Sequence, residues 1–501
     1  MERYIAFFLI ILFTDFDSKA QSNFDLVIPS FEYKVEAIVS PAIEIQDTIY
    51  CFVINQYAYK YGNSASFAKI SKNGQIISNK DFLDSINPYW VYDTKKIKDG
   101  VLISGNQFIY KRRGFSLYYA KLNNKLDTIW SKTINTKYNS PGLNEIIQLK
   151  NGNILMAGSD NHNRPTGGTY QDSNNAVLIL ADSLGEIIKY NNIQKNNPMS
   201  LEGFDAVFED KENNIYGVGK IQLGTLYNRG LIIKFNPEGE IIWRKEFTES
   251  GYGIALNYMN EFADGTLVAI GGIYKPFFDN DPQDWIYILK LDKNGNLKSK
   301  KKILKKHLGE TENCVVDNAG NYICAGFTSK DANSQTNGYL VKFSSNGDSI
   351  WSREFSHRDD RDEYFFNIAS ASDGGYYLTG LNWISDEDHS SKGWIVKTDS
   401  NGCVVPGCAT AVNVEKEYHG ALFNLFPNPV SDHLSIYLND EDLQDRRYHL
   451  KYLDQNGRIV LTKAFSGRKT DVEVSSLIAG MYFYQIDDGK KIVQSGKMVI
   501  R

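Results

Sequence analysis

Residues 230–247 read GLIIKFNPEGEIIWRKEF, two strands joined by a tight turn. Leu231, Ile233 and Phe235 alternate with neighbours on the opposite face, the period of two that marks a half-buried strand. Asn236-Pro237-Glu238-Gly239 sets Asn first, Pro second and Gly fourth, which suits a type I turn. Ile241 and Trp243 then resume the alternation.

Aligned on the turn glycine, this pattern occurs seven times, with the turn position at Gly74, Leu126, Gly185, Gly239, Gly295, Gly347 and Gly402. The steps between copies are 52, 59, 54, 56, 52 and 55 residues. Five residues before the turn position stands Lys69, Lys121, Lys234, Lys290, Lys342 or Lys397, with Leu180 in the third copy. Trp130, Trp243 and Trp351 share a slot four residues after it. Each copy also has a front half, such as EIIQLKNGNILMAG at 145–158 or CVVDNAGNYICAG at 314–326. Each unit is therefore four strands, and a period of roughly 40–55 residues with four strands is that of a β-propeller blade. Seven units predict a seven-bladed propeller. The alternative, a solenoid of stacked sheets, would need capping repeats at its ends, and none is evident.

Over residues ~35–408 the chain resembles β-propeller repeat proteins in general and no single subfamily of them. The Trp-Asp dipeptide with its Gly-His partner is absent, as is a kelch double glycine. The three tryptophans are similar to those of the docking blades of quinoprotein dehydrogenases, but they occupy only three units. An unclosed circle of sheets would leave an exposed edge. Residues 24–39 precede the first full unit, and the fourth strand of the last unit is cut short at Pro406. The leading segment is expected to pair there; otherwise it is a disordered leader.

Aromatic and β-branched residues of the kind that fit pleated strands are plentiful, with 31 Tyr and 27 Phe, and no sustained helical periodicity competes with them. The net charge of −5 argues against a nucleic-acid-binding surface. Residues 1–20 have the order of a secretory signal: Arg3, an apolar run from Ile5 to Phe13, then Ser18-Lys19-Ala20 before Gln21. That run is too short to span a bilayer, which takes roughly 20 residues, and no other stretch reaches that length. Export permits disulfides. Cys403 and Cys408 flank a tight loop, and Cys314 and Cys324 face each other if the turn is centred on Ala319. Cys51 is left over as a small buried hydrophobe. No metal site is expected, because the thiols lack paired spacing and a nearby His, and no cofactor is expected.

Residues 409–421 lose the repeat and read as a polar linker. Beyond them, strands are expected at 434–438, 448–453, 458–465, 470–474, 481–486 and 491–500, an immunoglobulin-like sandwich. Pro427-Asn428-Pro429, Asn456-Gly457, Gly480-Met481-Tyr482 and Gly496-Lys497-Met498-Val499 fall in order over residues 422–501. This segment resembles the type A C-terminal sorting domain of the type IX secretion system. The resemblance implies passage across the outer membrane of a Gram-negative bacterium, with that secretion machinery as partner. It makes Pro427, Asn428, Pro429, Gly480, Tyr482, Gly496 and Lys497 the sorting motif. The expected division is signal peptide 1–20, propeller 21–408, linker 409–421 and sorting domain 422–501.

In a four-stranded meander the 1–2 and 3–4 turns lie on one face, and here they are short. The connections 159–176, 221–229, 272–284, 327–338 and 382–393, on the other face, read as long loops. Function concentrates on such loops, so Arg164, Tyr170, Tyr227, Arg229, Trp383, Asp386 and His389 are the candidate ligand-binding residues, for a glycan or a peptide. Phe277 and Phe278 lie on the same face. The plainer reading is that these side chains cover blade edges and solvate the rim. The acidic clusters at 279–284, 359–363 and 386–388 match no calcium loop and read as solvated. No catalytic residue is assigned, since no HExxH, GxSxG or phosphate-binding glycine loop occurs. A carboxylate pair for glycoside cleavage could still be assembled from different blades. The leading expectation is a non-catalytic exported binding or adhesion module. The alternative is a secreted polysaccharide- or peptide-degrading enzyme with its site on the long-loop face.

Overall fold

The computed structural model describes residues 23–28, 36–37, 40–55, 65–81, 89–109, 111, 114–135, 142–166, 169–193, 200–223, 227–275, 284–306, 308–329, 335–357, 362–385, 390–404, 408, 423–438, 447–455, 457–489 and 492–501. They form an all-β fold built of four-stranded blades. The expected signal region 1–20, the expected linker 409–421 and Asn456 lie outside the described residues.

The repeated turn forms for a local reason. Three residues before each turn position stands a side chain that accepts hydrogen bonds: Ser71, Asn123, Asp182, Asn236, Asp292, Ser344 or Asp399. Asp182 Oδ1, for example, accepts from the backbone N–H of Leu184 at 2.9 Å and of Glu186 at 2.8 Å. The turn residue itself is left-handed in all seven copies, with φ between +64° and +80°. A type I turn plus one left-handed residue makes the three-residue hairpin loop, and glycine takes that conformation without steric cost. Leu126 takes it at a cost of about 1–2 kcal/mol. Its side chain is only 5 % exposed, in the core between two sheets, and burying a leucine is worth about 1.5–3 kcal/mol.

Among the described residues, seven sheets precede residue 409. The first holds Glu36–Ala37, Thr48–Asn55, Ala65–Ser71 and Ile76–Asp81, with Ile43–Ile45 paired to its second strand. The second runs Tyr89–Ile97, Gly100–Ile109, Gly114–Leu122, Thr128–Ile134, and the third Gly142–Gln148, Ile154–Thr166, Thr169–Ala181, Ile187–Asn192. The fourth runs Leu201–Glu209, Ile215–Leu223, Tyr227–Phe235, Ile241–Phe247, and the fifth Gly253–Glu261, Leu267–Tyr274, Asp284–Leu291, Leu297–Lys306. The sixth runs Leu308–Val316, Tyr322–Ser329, Thr336–Phe343, Ser349–Phe355, and the seventh begins Glu363–Ser370, Tyr376–Ser385, Ser390–Thr398. The apolar cores lie between successive sheets. Phe204 and Phe235 pack with Leu178 and Leu180 of the sheet before, and Ile323 and Leu340 pack with Phe365 and Trp394 of the sheet after.

The seventh sheet takes its outer strand from the other end of the chain. Phe24–Val27 pairs antiparallel with Ser390–Thr398, Phe24 opposite Lys397 and Val27 opposite Trp394. Phe24 and Ile28 also join Tyr377 and Ile395 in a core with Ile49, Cys51 and Ile70 of the first sheet. A polar lock holds the added strand. Asp25 Oδ1 accepts from Trp394 Nε1 at 2.7 Å and meets His357 Nε2 at 3.1 Å. The other ring nitrogen of His357 is 3.2 Å from Glu363, which also takes a hydrogen bond from Asn382.

Where they are described, the connections read as long loops are mostly paired backbone. Ile154–Thr166 and Thr169–Ala181 stay in register from Ile154↔Ala181 out to Thr166↔Thr169, and Leu223 pairs with Tyr227. Their polar sequences carry no apolar alternation, and the described parts are held by ladder hydrogen bonds together with side-chain contacts such as Arg229 with Glu246 at 3.1 Å.

Beyond the linker, Phe423–Phe426, His433–Leu438 and Lys469–Glu473 form one sheet, and Ile459–Phe465, Tyr448–Leu453, Gly480–Asp487 and Ile492–Ile500 the other. A core of Leu434, Ile436, Tyr452, Tyr484, Met498 and their neighbours fills the space between them. Both expected disulfides are present. Cys314 and Cys324 are directly paired across two strands with Cα atoms 4.1 Å apart, and Cys403 is bonded to Cys408. Cys51 is a buried free thiol.

Candidate functional site

Six of the seven inner strands carry a bulge at the same place. The register shifts between Val91 and Asp93, Leu143 and Glu145, Phe204 and Ala206, Leu256 and Tyr258, Thr311 and Asn313, and Phe365 and Asn367. The residues left over are Tyr92, Asn144, Asp205, Asn257, Glu312 and Phe366, and all six line one cavity of about 250 Å³. A glycine on the second strand enforces the bulge: a Cβ on Gly105, Gly158, Gly219, Gly271 or Gly380 would stand 1.7–2.0 Å from a carbonyl oxygen of the first strand. Such bulges re-aim a side chain, and here they aim six toward one point. A second cavity of about 610 Å³ continues toward the short-turn face, and Glu145 and Asn313 line both.

The walls are stitched from sheet to sheet. Asp93 Oδ2 accepts from the backbone N–H of Ile146 at 2.9 Å, and Glu145 Oε2 from that of Val207 at 2.7 Å. Asn144 donates to the carbonyl of Phe204 at 2.9 Å and Asn257 to that of Thr311 at 2.7 Å. Lys95 Nζ lies 3.4 Å from Glu145, and Lys220 Nζ 3.7 Å from Asp205. Burial pushes the carboxyls of Asp93, Glu145 and Asp205 up, and the neighbouring lysines oppose it. Asp205 Oδ2 and Asn257 Oδ1 have no hydrogen-bond partner. The cavity thus offers amides, carboxylates, one ammonium at Lys220 and the rings of Tyr92 and Phe366. Among the described residues no group of three or more His, Cys, Asp or Glu is arranged to hold a metal ion.

Of the loop residues singled out from sequence, Tyr227 and Arg229 have described side chains, and neither lines this cavity. Arg164 and Tyr170 lie near the tip of the long arm of the third sheet, where Arg164 is opposite Gln171 and Tyr170 opposite Pro165. Tyr227 is 41 % exposed. Arg229 is held by Glu246 at 3.1 Å, in a chain that continues through Arg244 to the buried Glu202. Trp383 is opposite Ser391. Asp386, His389, Phe277, Phe278 and most of the acidic clusters lie outside the described residues. The repeated lysine is a clamp. Lys121, Lys234, Lys342 and Lys397 reach Asp99, Asp210, Asp317 and Asp373 in the turn between the first two strands of their own sheets, at 2.6, 3.5, 2.7 and 2.9 Å. The bulge residues escaped the sequence reading because their side chains share no chemistry. Their signal was positional, 13 or 14 residues ahead of the glycine that closes each front half.

In the sorting segment, Asn428 Oδ1 accepts from Val499 N–H at 3.0 Å and its amide donates to the Lys497 carbonyl at 3.2 Å. Tyr482 is in the core with its hydroxyl on the Ile478 carbonyl at 2.8 Å. Gly480 pairs with Ile500 and Gly496 with Tyr484, whose ring lies where a Cβ on Gly496 would be. Pro427 and Pro429 are exposed beside Asn428.

Residues 424–501 match the family described as the secretion system C-terminal sorting domain. This segment is a type IX sorting domain, and it addresses the protein to the cell surface or the extracellular space. No curated protein matches the chain. Three solved structures similar to it are a protein of unknown function from Dyadobacter fermentans DSM 18053, an α-L-arabinofuranosidase of Fusarium graminearum and an α-L-arabinanase of Penicillium chrysogenum. The first is 12 % identical with a TM-score of 0.43, covering 74 % of this chain and 97 % of its own. The second is 10 % identical with a TM-score of 0.40, covering 75 % and 97 %. The third is 11 % identical with a TM-score of 0.40, covering 76 % and 98 %. Among the described residues no helix is long and apolar enough to cross a membrane.

Proposed function

We propose that residues 21–408 are a seven-bladed β-propeller which, once exported, binds a glycan or peptide segment in its central cavity without transforming it. The chain divides in this reading into signal peptide 1–20, propeller, linker 409–421 and sorting domain 422–501. The observation that carries the binding role is the set of bulges that turn Tyr92, Asn144, Asp205, Asn257, Glu312 and Phe366 toward one point. Amides and carboxylates beside two aromatic rings suit a polyhydroxylated or amide-rich ligand, and a buried acceptor without a donor, such as Asn257 Oδ1, is costly until a ligand supplies one. The arms with Tyr170, Tyr227 and Trp383 would extend the grip at the rim.

One observation favours the enzymatic reading: carboxylates from different sheets face the same cavity, raised by burial in Asp93, Glu145 and Asp205. In this reading Asp205 and Glu312, which line the cavity from different sheets, are the acid pair. A glycan and peptide array, with turnover followed on every hit, tests both. Binding that Tyr92→Ser abolishes, with ligand recovered intact, supports the module. Cleavage lost in Asp205→Asn and Glu312→Gln supports the enzyme, and a ligand indifferent to all three variants sinks the cavity as the site.

A further inference from the structure

The sorting domain carries a partly exposed apolar face. Successive residues of Gly480–Asp487 and Ile492–Ile500 point to opposite sides of their sheet. Tyr482, Tyr484, Met498 and Ile500 fill the core. Met481, Phe483, Lys497 and Val499 stand on the outer side, Met481 43 % and Val499 38 % exposed within the full chain. Pairing sets Met481 opposite Val499 and Phe483 opposite Lys497, and Leu453 lies between Phe483 and Ile459. One apolar stripe therefore crosses all four strands, buried at Leu453, half-buried at Phe483, and exposed at Ile459 at one end and Lys497 at the other.

Two sorting motifs, Gly480-Met481-Tyr482 and Gly496-Lys497-Met498-Val499, supply Met481, Lys497 and Val499. Their inward residues are explained by the core; their outward residues are not. The third motif has another task. Asn428 pairs with Lys497 and Val499 as a backbone would, Val430 N–H donates to the Val499 carbonyl at 2.8 Å, and Arg501 N–H donates to the Val430 carbonyl at 2.9 Å. These bonds cover the outer edge of the last strand, so a partner cannot read it by adding a strand there.

We infer that the stripe is the surface by which the export machinery recognises the folded sorting domain, through an apolar groove with acidic groups opposite Lys497. The occupant follows from the segment itself, whose established task is to be read by that machinery. The two motifs that contribute to the face are also those with outward side chains to spare.

The test uses the full chain in a host with type IX machinery. Met481→Gln with Val499→Asn, and separately Phe483→Ser, are followed in medium, cell surface and periplasm. Export should fall by roughly tenfold, the effect of losing ~1.4 kcal/mol of docking energy, while periplasmic protein keeps its unfolding midpoint. Export at the unsubstituted level overturns the inference. So does a lowered midpoint, which would give the face to the fold, or a dimer of the unsubstituted chain that the substitutions dissolve, which would give it to a second copy.

Discussion

Trp130 lies against Gly185 of the next sheet's turn, so closely that a Cβ on the glycine would come within 2.8 Å of the indole. Trp243 stands in the same way over Gly295 at 2.9 Å, and Trp351 over Gly402 at 2.8 Å. Phe24 of the closing strand does it for Gly74 at 2.7 Å. Where the slot four residues past a turn holds Trp, it docks on the glycine of the following turn, and at Gly239 the slot holds Lys189, whose stem approaches at 3.3 Å.

Gly185→Ala and Gly239→Ala should separate these contributions. Both residues are left-handed, so both variants incur the ~1–2 kcal/mol cost of a left-handed alanine. Only at Gly185 does the methyl meet a fixed indole, and overpacking adds about 1–3 kcal/mol. Urea midpoints should rank Gly185→Ala well below Gly239→Ala, and Trp130→Ala should narrow the gap. Equal midpoints would remove the docking role.

The lysine clamp predicts an acid weakness. Burial works against the ionised Asp317, but Lys342 and Asn321 outweigh it and bring the carboxyl down to about 2. A depressed folded-state value stabilises above the ordinary carboxylate range, near 3.8, and that stability is lost as pH falls through about 2. Asp317→Asn should lower the unfolding midpoint at pH 6 and should differ little from the unsubstituted protein near pH 2. A gap that persists at low pH would contradict this.

The lock on the closing strand has the opposite sign. Burial alone would lower His357; Asp25 and Glu363 outweigh it and raise the imidazolium to about 10. A raised folded-state value gives stability that is whole below the ordinary 6.5 and is lost as pH rises through about 10. His357→Gln should cost about 2 kcal/mol at pH 6 through lost charged hydrogen bonds, and the difference should vanish above the folded value. Amide exchange at Asp25–Val27 should quicken in the variant. Unchanged exchange there would mean that the histidine does not hold the strand.

Thiol titration of the exported protein should find none in the native state and a single thiol, Cys51, after denaturation without reductant. Burial pushes that thiol far up, which keeps it inert while folded. Free thiol at Cys403 or Cys408 would refute the pairing.

Legibility followed the range of the interaction. In the sorting domain the strands expected at 434–438 and 448–453 appear at His433–Leu438 and Tyr448–Leu453. Phe423–Phe426 went unread because two prolines and a covered edge follow it in place of a hairpin. The closing strand was anticipated from the truncated last unit, but the Asp25–His357–Glu363 lock joins residues too distant for any spacing to reveal. Carboxylates meeting from different blades were anticipated, but none of the bulge residues that line the cavity was singled out, and the loop-face candidates remain unassembled among the described residues.

The sequence by itself determined the turns, the strands and the sorting domain. Each depends on contacts over a few residues: an acceptor three before a left-handed position, an apolar alternation, a glycine that no Cβ can replace. Only the tertiary structure decided what the inner strands do together. Tyr92, Asn144, Asp205, Asn257, Glu312 and Phe366 stand 52 to 61 residues apart in the chain. They meet because the twist and packing of successive sheets turn six bulges toward one point, a sum over the whole fold that no local stretch contains.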